Sequence, residues 1–135
     1  MAKNKKLNYT YAVGRRKSAS ARVRLYRGKG QNTVNSKPVE KYFTSPINAD
    51  FWSKPFKVLD IADKYYFSVK VKGGGVQAQL TAISHGLARA LGKENQEFRK
   101  DLKKSGLLTR DSRTRERRKV GMGGKARRKK QSPKR

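Results

Sequence analysis

The charge of this chain is divided so unevenly that its two parts cannot fold by the same rules. Residues 110–135 hold 13 basic and 2 acidic side chains, no aromatic residue and few apolar ones. Such a segment cannot bury enough apolar surface to offset the entropy of ordering itself. Residues 1–109 hold 23 basic and 7 acidic side chains together with every aromatic residue. The sequence therefore predicts a globular domain over residues 1–109 and an extended basic tail over residues 110–135 that orders on a partner. The other reading of the tail is a solvated charged face, which would normally mix both signs of charge.

The formal net charge of +27 names the class of partner. A compact chain with that charge repels itself and needs a polyanion. Nucleic acid fits, because release of counterions from phosphates drives binding. A membrane surface would need an amphipathic basic helix with bulky apolar anchors, and the sequence offers none. No apolar run approaches the ~18 residues of a membrane span. The first six residues include three lysines with no apolar stretch behind them, so no signal peptide is expected. Absence of cysteine and a single histidine, His85, exclude a disulfide framework, a zinc knuckle and a C2H2 finger. The expectation is a cytoplasmic protein without metal, cofactor or small-molecule substrate.

Tyr9, Tyr11 and Val13 alternate with smaller residues, and Arg15-Arg16-Lys17 then forms a basic turn. From Ser18 to Tyr26, Ala19, Ala21, Val23 and Leu25 take one face while Ser18, Ser20, Arg22 and Arg24 take the other, a half-buried strand with a basic outer face. Gly28-Lys29-Gly30 turns the chain, Thr33-Val34-Asn35 is a third strand, and Lys37-Pro38 ends it. Val39 to Trp52 is open between states: Tyr42 and Phe43 can begin a short helix, and Pro46 and Pro55 break the region. Lys64 to Lys72 reads as a strand. Val76, Leu80, Ile83, Leu87 and Leu91 fall on one helical stripe with Gly92 as a stop, and Glu94 to Lys104 forms a second helix ending near Gly106. The order points to an α+β or α/β two-layer sandwich, a small mixed sheet with helices on one face.

The strand, triple glycine and helix around Gly73, Gly74 and Gly75 match neither the phosphate-loop nor the dinucleotide pattern. What remains is a helix start where backbone amides can approach an RNA phosphate, with Lys70 and Lys72 adding charge, or else a tight turn that touches nothing. His85 falls opposite the apolar stripe with Arg89 one turn on, as a polar-face histidine or an RNA contact. It has no Ser, Cys or carboxylate in motif spacing, and the 9 acidic residues do not cluster, so no enzyme is expected. Arg15, Arg16 and Lys17 beside Arg22 and Arg24 can bridge phosphates, unless they are only a solvated hairpin tip. No pattern of base-stacking aromatics is evident, so recognition should rest on RNA shape and phosphate position. A DNA-compacting nucleoid protein shares the charge and is the alternative function.

Several separated motifs occur in a fixed order: Gly14-Arg15-Arg16-Lys17-Ser18, Val71-Lys72-Gly73-Gly74-Gly75, residues 82–91, Thr109-Arg110-Asp111-Ser112-Arg113, residues 116–121, Lys125-Ala126-Arg127-Arg128 and a terminal Lys134-Arg135. Together they resemble the bacterial form of small-subunit ribosomal protein number nine, from about Tyr9 to Arg135. Ser84, where that family usually carries arginine, and Pro133 are departures. The resemblance implies a fold like the second domain of ribosomal protein number five. It also implies a place in the head of the small subunit, beside other head proteins and bound to its rRNA. It implies a tail that threads rRNA through Arg110, Arg113, Arg117, Arg118, Lys119, Arg127 and Arg128, and a terminal Lys134-Arg135 pair near the peptidyl-site tRNA.

Overall fold

Side-chain alternation along three long strands decides the architecture. In the computed structural model, which describes residues 9–61, 63–114 and 117, β1 (Tyr9–Arg16) and β2 (Ala19–Arg27) form an antiparallel hairpin and β5 (Tyr65–Lys72) pairs antiparallel with β2. The short strand β3 (Thr33–Val34) runs parallel to β5 and antiparallel to β4 (Lys37–Pro38). Among the described residues the sheet thus has the order β1-β2-β5-β3-β4. Lys37-Pro38 does not end a strand, as the sequence suggested, but forms one. Asn35 and Ser36 both take positive φ, of 51° and 67°, making the tight turn that joins β3 to β4. The Asn35 side chain then binds both the amide and the carbonyl of Val71, extending the ladder beyond β3.

The segment left open by the sequence holds three short helices, α1 (Val39–Tyr42), α2 (Pro46–Trp52) and α3 (Lys54–Leu59). Pro46 and Pro55 stand in the first turns of α2 and α3, where a missing amide costs no hydrogen bond, so they start helices instead of breaking one. Trp52 and Phe56 bring their rings to within 5.4 and 6.0 Å of Phe67, the largest fully buried side chain of β5.

Two long helices complete the layer: α4 (Val76–Glu94) and α5 (Gln96–Lys104). Leu80, Ile83, Leu87 and Leu91 of α4 are fully buried against the inner face of the sheet, which presents Ala12, Ala21, Val23, Leu25, Phe67 and Val69. Val76, placed on the same stripe by spacing, is 54% exposed. Gly92 does not stop α4, which runs two residues further; Asn95 ends it and caps α5 by accepting from the Glu97 amide. Gly106, at φ 75°, terminates α5 and returns Leu107 and Leu108 to the core edge.

Two glycines let the helix layer and the sheet come together closely. A Cβ on Gly14 of β1 would overlap the Ala82 carbonyl oxygen and the Gly86 amide nitrogen of α4, and a Cβ on Gly86 would lie 2.6 Å from a Val23 methyl. Nothing larger than hydrogen fits between this strand and this helix. Gly14→Ala should therefore destabilise the fold by about 1–3 kcal/mol or more, whereas Gly75→Ala, into open space, should leave it unchanged; denaturant midpoints measure both.

Candidate nucleic-acid interface

With the helices on one side, the other side of the sheet is open. The register sets its side chains in rows across β1, β2 and β5: Tyr11, Arg24 and Ser68; then Val13, Arg22 and Lys70; then Arg15, Ser20 and Lys72. Arg15, Arg22, Arg24, Lys70 and Lys72 are all exposed, and none has an ion-pair partner among the described residues. Arg22 stands directly opposite Lys70, a like-charge pairing that destabilises a sheet. Beyond the first row lie Tyr9, Tyr26 and Tyr66, with Tyr26 and Tyr66 stacked at 5.0 Å and Arg24 set 5.1 Å over the Tyr9 ring. Gly30 covers Tyr66 so closely that a Cβ there would lie 2.8 Å from the ring.

The basic turn is shorter than its sequence suggested. Arg15 and Arg16 belong to β1, and the hairpin turns at Lys17 and Ser18, with Lys17 at φ 53°. Arg16 points to the helix side, where its guanidinium holds Asp111 at 3.1 Å and donates to the Arg113 carbonyl at 2.9 Å. Arg113 grips the same Asp111 carboxylate at 2.8 Å. Hydrogen bonds from Arg113 hold the Asp111 carboxyl well below the usual carboxylate range. Arg16 is thus occupied in positioning residues 111–113 on the body, and its side chain is only 15% exposed.

The three glycines divide by task. Gly73 and Gly74 have φ of 81° and 64°, and a Cβ on Gly73 would meet the Ser18 carbonyl at 2.5 Å. Both are required by the turn. Gln79 fixes the turn by donating to the Gly73 carbonyl, and Tyr42 donates to Gln79 in turn. Gly75 alone borders open space, at the start of α4. Among the described residues no side chain caps that start, so the first amides of a 19-residue helix stand beside exposed Lys72.

His85 is not on an exposed polar face. It is 8% exposed, because α4 is covered on two sides, by the sheet and by the chain returning after α5. The Leu108 carbonyl, 3.3 Å away, can only accept, so Nε2 carries the proton, and Nδ1 is buried without a partner among the described residues. Burial pushes the imidazole below its ordinary value, the bond to Leu108 opposes this, and the charges of Arg89 and Arg110 add to it. His85, Val13, Arg15, Arg89 and Arg110 line a hollow of about 170 Å³. Arg89 is exposed but donates to the Val13 carbonyl at 2.6 Å, and Lys93 donates to the Tyr11 carbonyl at 3.0 Å. The two close the free edge of β1. Arg89 and Lys93 also line a larger hollow of about 390 Å³ with Gly92, Gln96, Arg99 and Leu108. Spacing alone missed this hollow, although the four-residue step from Arg89 to Lys93 could have signalled it.

Arg110, Arg113 and Arg117 are exposed at the end of the described chain. Arg118, Lys119, Arg127, Arg128, Lys134 and Arg135 lie outside the described residues. Among the described residues there is no cluster of metal-ligating side chains and no helix long and apolar enough to cross a membrane.

The family model for ribosomal protein S9/S16 matches residues 14–135. The chain belongs to the ribosomal protein S9/S16 family. It is 46% identical over 117 residues to small ribosomal subunit protein uS9 of Maridesulfovibrio salexigens, covering 87% of this chain and 90% of the relative. The same protein of Dehalococcoides mccartyi is 46% identical with 87% and 89% covered, and that of Lawsonia intracellularis 44% with 84% and 88% covered. The match to the family begins at Gly14, the residue that seats α4 on β1, and continues through the open face, the glycine turn and the basic end of the chain.

The buried histidine makes stability depend on pH. The unfolded chain takes up a proton as pH falls through about 6.5, while the folded chain resists it. Stability contributed by neutral His85 is complete above pH 6.5 and is lost as pH falls below it. His85→Gln keeps a nitrogen donor for Leu108 without titrating, so its denaturation midpoint should fall less than the parent's between pH 7.5 and 5.5. Equal slopes would show that His85 does not control this range.

Proposed function

We propose that this protein is a structural constituent of the small ribosomal subunit, seated in its head on rRNA beside neighbouring head proteins. In this reading it serves translation in the cytoplasm and catalyses no reaction. Five exposed cations on one sheet face, without ion-pair partners among the described residues and with Arg22 set against Lys70, carry the reading. Phosphates laid over that face would relieve its repulsion. Family membership supports rRNA as the source of the phosphates. The fold is assigned to the type of the second domain of ribosomal protein number five.

Arg15, Lys17, Arg22, Arg24 and Lys72 meet phosphates from the open face and hairpin tip, and the amides after Gly75 meet another. Arg89 and Arg110 offer the guanidinium groups of their hollow, with His85 supporting its wall. Gly73 and Gly74 shape the turn, and Arg16 sets the direction in which residues beyond Asp111 depart. Arg113, Arg117, Arg118, Lys119, Arg127 and Arg128 then follow the rRNA backbone as an extended basic tail. The terminal Lys134 and Arg135 reach the peptidyl-site tRNA, where a phosphate contact is blind to sequence and suits every tRNA.

At matched salt the full chain should bind structured small-subunit rRNA more tightly than duplex DNA; the reverse order would favour a DNA-compacting role. Removing residues 115–135 spares the Asp111 clamp and takes away 11 basic side chains. If about half of them meet phosphates, the log–log salt slope should flatten by about 4–5 units. An unchanged slope would show the tail to be a bystander. Deleting only Lys134 and Arg135 should weaken tRNA binding to small subunits about 2–10-fold with assembly intact, and equal affinity would exclude the contact.

A further inference from the structure

We infer that the row of Tyr11, Arg24 and Ser68 on the open sheet face holds one unpaired RNA nucleotide, its base lying on the Tyr11 ring and its phosphate between Arg22 and Lys70. This rests on the proposal that the open face binds RNA and adds that the RNA there is locally single-stranded.

Tyr11 differs from the other tyrosines of the face. Tyr9, Tyr26 and Tyr66 pack on one another, and Tyr66 is covered by Gly30. Those rings are committed to holding strands together. Tyr11 is in none of these ring contacts and is 42% exposed. An exposed aromatic ring among cations is an incomplete environment, since its apolar face is left in water. Its position is nonetheless rigid: Lys93 bonds the Tyr11 carbonyl, and the strand pairs directly with Arg24.

Tyr11, Arg22, Arg24, Ser68 and Lys70 enclose a hollow of about 140 Å³. That is room for a single planar heterocycle, not for a helix. Its chemistry suits a nucleotide. Tyr11 provides a stacking face, and stacking tolerates any base. Arg24 offers a second flat surface or a fork of donors. The Ser68 hydroxyl both donates and accepts, as a base edge or ribose requires. Arg22 and Lys70 lie one row further, two strand residues or about 7 Å along, comparable to the reach from a base to its own phosphate. No carboxylate shares these rows, so a basic peptide is disfavoured, and an acidic one would leave the exposed ring without a partner.

The test uses the full chain, a single-stranded adenosine oligoribonucleotide carrying one 2-aminopurine, and duplex RNA of equal length. Binding of the single strand should quench the 2-aminopurine. Tyr11→Phe should keep the quenching, and Tyr11→Leu, which keeps the bulk without the ring, should lose it. Single-strand affinity of Tyr11→Leu should fall about tenfold while duplex affinity is unchanged. Undiminished quenching and affinity in Tyr11→Leu would overturn the inference, as would an equal loss for both RNAs. The double variant Arg22→Gln with Lys70→Gln should weaken both RNAs. If it weakens neither, the open face is not the RNA surface at all; if it weakens both while Tyr11→Leu changes nothing, the face binds RNA and only the stacking assignment is wrong.

Discussion

The contact between Gly14 and Gly86 is the constraint on which the rest of the molecule depends. It lets the backbone of α4 lie against the backbone of β1 with no side chain between them. At that separation Arg89 and Lys93, one and two turns nearer the C-terminal part of the helix, can reach the outward carbonyls of Val13 and Tyr11. Edge strand β1 is thereby closed by cations of its own helix layer, and His85 is drawn into the same seam beneath Leu108. A residue larger than glycine at either position would lift the helix and break all three arrangements together. The helices crowd onto one side of the sheet as a consequence, and the other side is left to solvent and to a partner.

Ion pairing differs between the two sides. Among the described residues the ion pairs lie on the helix side and at the rim, as with Arg16 and Asp111, Arg27 and Glu94, Lys57 and Asp50. Glu94 also accepts from Thr10 at 2.6 Å, and that bond, ahead of the pull of Arg27, keeps its carboxyl below the ordinary range against the effect of burial. On the open side Arg22 faces Lys70. Each opposed pair in a sheet costs a fraction of a kcal/mol, small beside the burial of a side chain such as Phe67 at roughly 1.5–3 kcal/mol. The fold can therefore carry an unbalanced face without unfolding, and a polyanion laid on it recovers the repulsion in addition to the released counterions.

Period-two alternation gave away β1, β2 and β5 because each has one face in the core and one in water. The stripe from Leu80 to Leu91 gave away α4 for the same reason. The errors arise where that picture of a single buried side fails. Ala82 through Ala88 are buried without a break, since the sheet covers one flank of α4 and the chain after Gly106 covers another, so spacing placed His85 in water when it lies in a wall. Gly92 looked like a helix stop, yet a glycine inside a helix also lets a neighbour come close, and Arg99 of α5 packs 3.8 Å from where its Cβ would be. The aromatic row was invisible for a different reason. Alternation assigns Tyr9, Tyr11, Tyr26 and Tyr66 to a face, but only strand order and register set Tyr9, Tyr26 and Tyr66 side by side and Tyr11 in the next row.

The glycine triplet divides into parts that the sequence pattern does not separate. Gly73 and Gly74 are glycine because the backbone takes positive φ beside Ser18 and Ala19. Those reasons are complete without any ligand. Gly75 has an ordinary extended conformation and empty space around it, so neither strain nor crowding accounts for the missing side chain. What a side chain there would obstruct is access to the uncapped amides of α4. Those amides lie beside Lys72, at the end of the third cationic row, while Tyr11 marks the first. The open face thus grades from an aromatic end suited to a base, through opposed cations, to a helix start suited to a phosphate. A single strand running in that direction would meet each chemistry in turn, and a rigid duplex, with its bases turned inward, would leave the aromatic end unused.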